Sequence, residues 1–211
     1  MALFPNPELA DANGLVAMGG DLKPARVPHA YRQGIFPWYN DGYPVCWWSP
    51  DPRAIFDLEQ FHVPRRLCRT LRCGAFAFTI NRAFGDVIRG CGERAEGTWI
   101  TAEMIRAYEE LHRLGHVHSV EAWRDGRLAG GIYGIAVGGL FSGESMFSRQ
   151  SDGSKAALVF LVEHLRQRGY TLFDIQMVTP HTAQFRPRLI SRREYLRRLR
   201  AALALSVTFA N

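Results

Sequence analysis

The sequence lacks an apolar run of the roughly 18 residues that a membrane-crossing helix requires. Its opening, Met1-Ala2-Leu3-Phe4-Pro5, has no basic stretch leading into an apolar one, so no secretory leader is read there. A cytoplasmic protein, with no membrane partner, is the expectation. Cysteine is scarce: the four present, Cys46, Cys68, Cys73 and Cys91, include no C-x-x-C pair. Their spacing speaks against a zinc site and a disulfide framework, and favours reduced, buried thiols. The seven histidines show neither H-E-x-x-H nor a comparable spacing, so no metal is expected. Internal repeats and low-complexity segments are missing as well.

What the chain has is apolar mass and arginine. Hydrophobic residues fill 47% of 211 positions, which excludes a disordered chain. One sizeable core is possible, or a domain of about 150 residues with a small annex. The net charge of +6 is compatible with a polyanionic partner. Arg65, Arg66, Arg69 and Arg72 recur on one side of a readable helix, and Arg192, Arg193, Arg197, Arg198 and Arg200 crowd the C-terminal segment. Such runs suit either a solvated helix face or a nucleic-acid contact.

Pro and Gly punctuate the N-terminal quarter so densely that long regular elements are excluded, apart from a short helix near 27–33. This region reads as a small N-terminal domain, 1–52, packed on a larger one, 53–211. Beyond it the pattern becomes regular. Thr101 caps a helix whose Met104, Ile105, Tyr108, Leu111 and His112 share a face, with Gly115 at its end. A strand over 116–124 turns at Asp125-Gly126 into one over 128–137, and Gly138-Gly139 leads to another over 140–144. Ser154 opens an apolar helix to Arg168, a strand covers 170–177, and Ser191 with Glu194 predicts a capping box for a last helix. Antiparallel strands, a helix, then a strand returning beside the last one make an α+β order with a mixed, mostly antiparallel sheet. That order matches the core of the acetyltransferase-like (GNAT) fold.

Alternation along 170–177 puts Leu172, Asp174 and Gln176 on one face of a central strand. A carboxylate and an amide placed there must be paired or used, and a network tying neighbouring strands fits as well as a working site. Glu144 lies in Gly143-Glu144-Ser145-Met146-Phe147-Ser148-Arg149, leaving a strand expected beside that one, so the three polar groups converge on one cleft. A local Glu144–Arg149 ion pair is the other reading. GNAT proteins usually bind coenzyme A through an Arg/Gln-x-x-Gly-x-Gly/Ala loop at a helix N-terminus. Here Arg149-Gln150-Ser151-Asp152-Gly153-Ser154 has the wrong glycine spacing and an aspartate where phosphates would sit, so that cofactor is disfavoured. Among the loop tryptophans, Trp38 and Trp99 suit stacking on a nucleotide, and Trp47 and Trp48 a structural place. His118 and His181 read as structural imidazoles.

Several strings together resemble one family, the leucyl/phenylalanyl-tRNA protein transferases. They are Gly14-Leu15-Val16-Ala17 leading to Gly19-Gly20-Asp21-Leu22, Gly34-Ile35-Phe36-Pro37-Trp38, Trp47-Trp48-Ser49-Pro50-Asp51-Pro52-Arg53, Gly97-Thr98-Trp99-Ile100, His118-Ser119-Val120-Glu121, Gly143 to Arg149, and Asp174-Ile175-Gln176. The resemblance implies a small N-terminal domain on a GNAT-like one, no cofactor and no metal. It implies leucyl- or phenylalanyl-tRNA as donor and proteins beginning with Arg or Lys as acceptors, marked thereby for the N-degron pathway; because an apolar pocket separates similar side chains by only about 1–3 kcal/mol, modest use of Met is expected as well. By position it carries Trp38, Trp99 and nearby Tyr108 to the tRNA 3′ adenosine. Glu144, Asp174 and Gln176 fall on the catalytic centre, and Ile132, Phe141, Met146, Leu158, Leu161 and Leu165 on the pocket for the donor side chain. The chain departs from the family pattern at Gln184-Phe185-Arg186-Pro187 and beyond Leu196. A monomer is expected, because no extended apolar stripe is left unassigned.

Overall fold

A computed structural model describes residues 3–93 and 97–210. The N-terminal segment forms β1 (Leu15–Met18), α1 (Val27–Arg32), β2 (Phe36–Pro37) and β3 (Cys46–Trp48), and its strands pair antiparallel in the order β1-β3-β2. With β4 (Arg53–Phe56) the chain enters a second sheet. Then come α2 (Arg65–Arg72), β5 (Ala77–Ile80), α3 (Phe84–Gly92), α4 (Ala102–Arg113), β6 (Val117–Arg124), β7 (Arg127–Val137) and β8 (Leu140–Ser148). They are followed by α5 (Gly153–Gln167), β9 (Leu172–Gln176), α6 (Pro180–Ala183), β10 (Arg188–Ile190) and α7 (Arg192–Leu203). The large sheet runs β10-β4-β9-β8-β7-β6-β5, antiparallel except between β8 and β9. That is the expected α+β order: a parallel neighbour needs a crossover, and α5 supplies it.

Local chemistry explains the better-read elements. Thr101 Oγ1 accepts from Met104 N–H at 3.2 Å, and α4 buries Met104, Tyr108 and Leu111 on one face. Asp125 and Gly126 have φ of 51° and 70°, the two left-handed positions of a two-residue hairpin turn. Four expectations need correction. The strand read to Glu144 continues to Ser148, because β7 pairs with β8 along its length. The helix read from Ser154 starts at Gly153, behind a left-handed Asp152. Ser191 caps α7 through Glu194 N–H, but the Glu194 carboxylate turns to Arg197 and Arg198 rather than back to the cap. Of the cysteines only Cys91 is buried, and Cys73 is exposed.

Side-chain alternation gives the large sheet two apolar faces. Ile132, Phe141 and Phe173 pack with Leu158, Leu161 and Leu165 of α5, while Tyr133, Ile135 and Phe147 meet α3, α4 and the N-terminal segment. Each fully buried leucine of α5 contributes about 1.5–3 kcal/mol of transfer free energy. Leu140 and Leu172 pack under α7 with Tyr195 and Leu199. The unusual C-terminal stretches belong to this core. Phe185 is fully buried and stacks on Phe61 at 5.4 Å, and Phe209, 2% exposed, stacks on His118 and Phe141.

Candidate active site

Pairing between β8 and β9 ends at Ser142↔Asp174, and beyond that point the two strands part. The gap is a cavity of about 590 Å³. Gly143–Ser148 line it from β8, Ile175 and Gln176 from β9, Ser154 and Leu158 from α5, and Met177 with Thr179–Thr182 from the turn and short helix that follow. Trp38 and Trp99 close its outer side, Trp38 being 41% exposed. Trp48 Nε1 donates to Trp38 O at 2.7 Å and its ring meets Trp38 edge-on, so the exposed indole is braced by its neighbour. Trp47 is buried and donates to Gly19 O, a structural place as expected.

Behind the cavity lies a polar network built on Asp174. Arg53 grips the carboxylate with both ends of its fork, Nε to Oδ1 at 2.9 Å and Nη2 to Oδ2 at 2.7 Å. Tyr195 Oη at 2.9 Å, Ser142 Oγ at 3.1 Å and Gln176 N–H at 2.9 Å donate to the same group. Asp174 and Arg53 are 0% and 1% exposed. Burial works against the guanidinium, but the charge and hydrogen bonds of Asp174, with the Tyr195 and Tyr31 hydroxyls, together raise the Arg53 pKa above its ordinary value. Arg53 also donates to Gly34 O and lies over the rings of Phe36 and Tyr195, so it ties the N-terminal segment, β9 and α7 together. Gly34 itself packs directly against α7. It sits at φ 77°, and a Cβ there would stand 2.7 Å from Leu196.

Gln176 ends β9 at φ 58°, a left-handed conformation rare for a residue with a side chain. Met177 N–H closes a tight turn onto Ile175 O at 2.6 Å. Gln176 Nε2 donates to Ser142 Oγ at 2.8 Å. Because Ser142 gives its proton to Asp174, it can only accept from Gln176, and this fixes the amide with its NH₂ on Ser142 and Oε1 free to face the cavity.

Glu144, half-buried on the cavity wall, takes a hydrogen bond from Tyr31 at 2.6 Å on one oxygen and from Tyr108 at 3.2 Å on the other. Burial raises its pKa to about 7, against the lowering effect of those hydroxyls. Burial first, and then the Glu144 charge, hold both tyrosines well above the ordinary phenol range, so they remain donors. Glu144 and Arg149 form no local pair, since Arg149 reaches Glu93 instead.

The expected site residues thus divide. Trp38, Trp99, Glu144, Gln176, Ile132, Met146 and Leu158 line the cavity. Asp174 and Tyr108 stand behind Gln176 and Glu144, fully buried. Phe141, Leu161 and Leu165 are core residues off its wall, because each points into the packed layer between the sheet and α5. Arg53, Tyr31, Ser142 and Tyr195 escaped the sequence reading. Arg53 had one signal: a cation opening an otherwise apolar strand, Ala54-Ile55-Phe56. The coenzyme A loop does not fit. Ser154 N–H at the α5 start is taken by Ser148 Oγ at 2.8 Å, Asp152 pairs with Lys155, and a Cβ on Gly130 would lie 2.6 Å from Gly153 C. The Ser154 amide is thus occupied, and a carboxylate stands where a pyrophosphate would need N–H donors.

The sequence profile of leucyl/phenylalanyl-tRNA protein transferase matches residues 55–200, and that of the same family's N-terminal domain matches 20–51. The chain belongs to this family. A leucyl/phenylalanyl-tRNA–protein transferase of Klebsiella pneumoniae (strain 342) is 51% identical over 196 residues, 92% of this chain and 84% of that protein. The transferase of Anaeromyxobacter sp. (strain Fw109-5) is 52% identical over 204 residues, 95% and 87%. Among solved structures, the ribosomal-protein-alanine N-acetyltransferase of Brucella melitensis biovar Abortus 2308 is similar with a TM-score of 0.38 and 14% identity, over 63% of this chain and 95% of that one. As a transferase of this family the chain is an aminoacyltransferase. No helix among the described residues is long and apolar enough to cross a membrane.

Proposed function

We propose that the cavity takes the aminoacylated 3′ end of leucyl- or phenylalanyl-tRNA and passes the amino acid to the N-terminus of a protein beginning with Arg or Lys, marking it for the N-degron pathway. The composition of the cavity wall carries this reading: two indoles, an apolar patch, and one carboxylate, with no Lys or Arg among the described residues that line it. Trp38 and Trp99 would stack the terminal adenosine, at roughly 1–3 kcal/mol per base. Ile132, Met146 and Leu158 would receive the donor side chain, with Phe141, Leu161 and Leu165 fixing the depth of the pocket from behind. An apolar pocket separates side chains differing by a methylene by only about 1–3 kcal/mol, so Met is a weaker donor rather than an excluded one.

An aminoacyl ester is already activated, so the protein's task is alignment and charge placement. Gln176 Oε1 would accept a hydrogen bond from the attacking nitrogen, held in that orientation by Ser142 and Asp174. Glu144 would face the acceptor's cation. Radiolabelled leucyl-tRNA incubated with peptides differing only in their first residue tests the reading. Label should pass to Arg- and Lys-initiated peptides, and transfer to an Ala-initiated peptide at the same rate would sink it.

Glu144 gives a prediction with a sign. Since its pKa is raised to about 7, it is protonated below that value and becomes a carboxylate above it. The KM for an Arg-initiated peptide should therefore fall several-fold as pH rises through about 7. In Glu144→Gln that pH dependence disappears and the KM stays roughly 10- to 100-fold above the wild-type value at alkaline pH, the loss of one charge-assisted contact. Steady-state kinetics against peptide concentration at each pH measures both.

A further inference from the structure

Transfer leaves one proton without a destination, a problem that exists only if the cavity works as proposed above. An acceptor N-terminus arrives largely as an ammonium, with a pKa of about 8, and must lose a proton before its nitrogen attacks. Gln176 Oε1 orients an N–H, but an amide oxygen is too weak a base to keep the proton. Two side chains on the cavity wall titrate, Glu144 and His181. Both oxygens of Glu144 already accept from tyrosines that stay protonated.

His181 ends a different chain of groups on that wall. Ser154 N–H donates to Ser148 Oγ at 2.8 Å, Ser148 donates in turn to Ser154 Oγ at 2.9 Å, and Ser154 Oγ lies 3.2 Å from His181 Nε2. With the Ser148 proton given to Ser154, the Ser154 proton points to Nε2, which makes that nitrogen the acceptor. This is the hydroxyl–imidazole arrangement of a general base and its relay. The short helix that carries His181 is held by the reciprocal cap of Thr179 and Thr182 and by Gln184 on the His181 carbonyl, which places the ring against Ser154. Burial, and then the charge of Lys155, lower the His181 pKa, so the ring is uncharged at neutral pH. The charged groups around it are Lys155 on α5 with its partner Asp152 just before that helix, and Glu144 from β8 on the same cavity wall.

We propose that His181, acting through the Ser154 hydroxyl, is the base that takes the acceptor's proton. An N–H bond of the ammonium breaks and its proton passes to Ser154 Oγ as the Ser154 proton moves to Nε2. The freed lone pair forms the C–N bond, and the C–O bond to the tRNA 3′ oxygen breaks. That oxygen takes a second proton from the nitrogen, leaving the amide, and the imidazolium releases its proton to solvent.

Single-turnover transfer from leucyl-tRNA to an Arg-initiated peptide tests this with the full chain carrying His181→Gln or Ser154→Ala. At about pH 7, where only about a tenth of the acceptor amine is neutral, each variant is expected to transfer roughly tenfold more slowly, with leucyl-tRNA affinity within about twofold of wild type. At about pH 9 the acceptor amine is already neutral and the deficit shrinks to within roughly threefold. Added imidazole restores transfer in His181→Gly. Wild-type rates in both variants at neutral pH, or a deficit equal at both pH values and unmoved by imidazole, overturns the proposal. A wild-type chain that transfers nothing contradicts the reading of the cavity instead, which the peptide assay detects first.

Discussion

Arg53→Met is expected to destabilise the fold by about 3–5 kcal/mol, because it leaves the Asp174 charge buried without its counter-ion. Tyr195, Ser142 and the Gln176 amide would still donate to Asp174, but none of them carries a charge. For a chain of this size that loss lowers the melting temperature by roughly 6–20 °C. Adding Asp174→Leu to Arg53→Met removes the stranded charge, and the double variant should recover most of the lost stability. It should nevertheless transfer no amino acid, because Ser142 then has no carboxylate to receive its proton and Gln176 loses its fixed orientation. Thermal unfolding of wild type, single and double variants, beside the peptide assay, separates the two effects. A single variant melting within about 2 °C of wild type, or a double variant less stable than the single, would show that the pair does not work this way.

The same pair shows where sequence reading stops. The α4 cap, the Asp125-Gly126 hairpin, the strand carrying Asp174 and its parallel return beside β8 are all legible, because periodicity and turn chemistry are local. Arg53 is not: arginine is rarely buried, and what makes it tolerable lies 121 positions away in sequence. Short β5 and β10 carry too few alternating residues to register as strands. Phe209 carries no local signal of its burial, yet it fills a place between His118, Phe141 and His164. Glu144, Asp174 and Gln176 could be read as polar intrusions. The division of labour among them could not, since it depends on where β8 and β9 stop pairing, a tertiary event without a local signature.

Gln176→Gly is the second large effect, and it should cost activity without costing stability. A left-handed residue with a side chain costs of order 1–3 kcal/mol, and glycine holds the same φ without strain. Against that gain stand the lost bond to Ser142 and the greater freedom of the unfolded chain, so the variant should be about as stable as wild type or slightly more so. Transfer, by contrast, should fall roughly 10²–10³-fold under single-turnover conditions, the range for removing one preorganised polar group from a reacting centre. Gln176→Ala loses the same contact but keeps the strain, so it should match the glycine variant in rate and melt lower. Strain that persists beside a cavity is explicable if it aims a group used there. A glycine variant that kept its full rate would make the left-handed turn a packing accident and remove Gln176 from the chemistry.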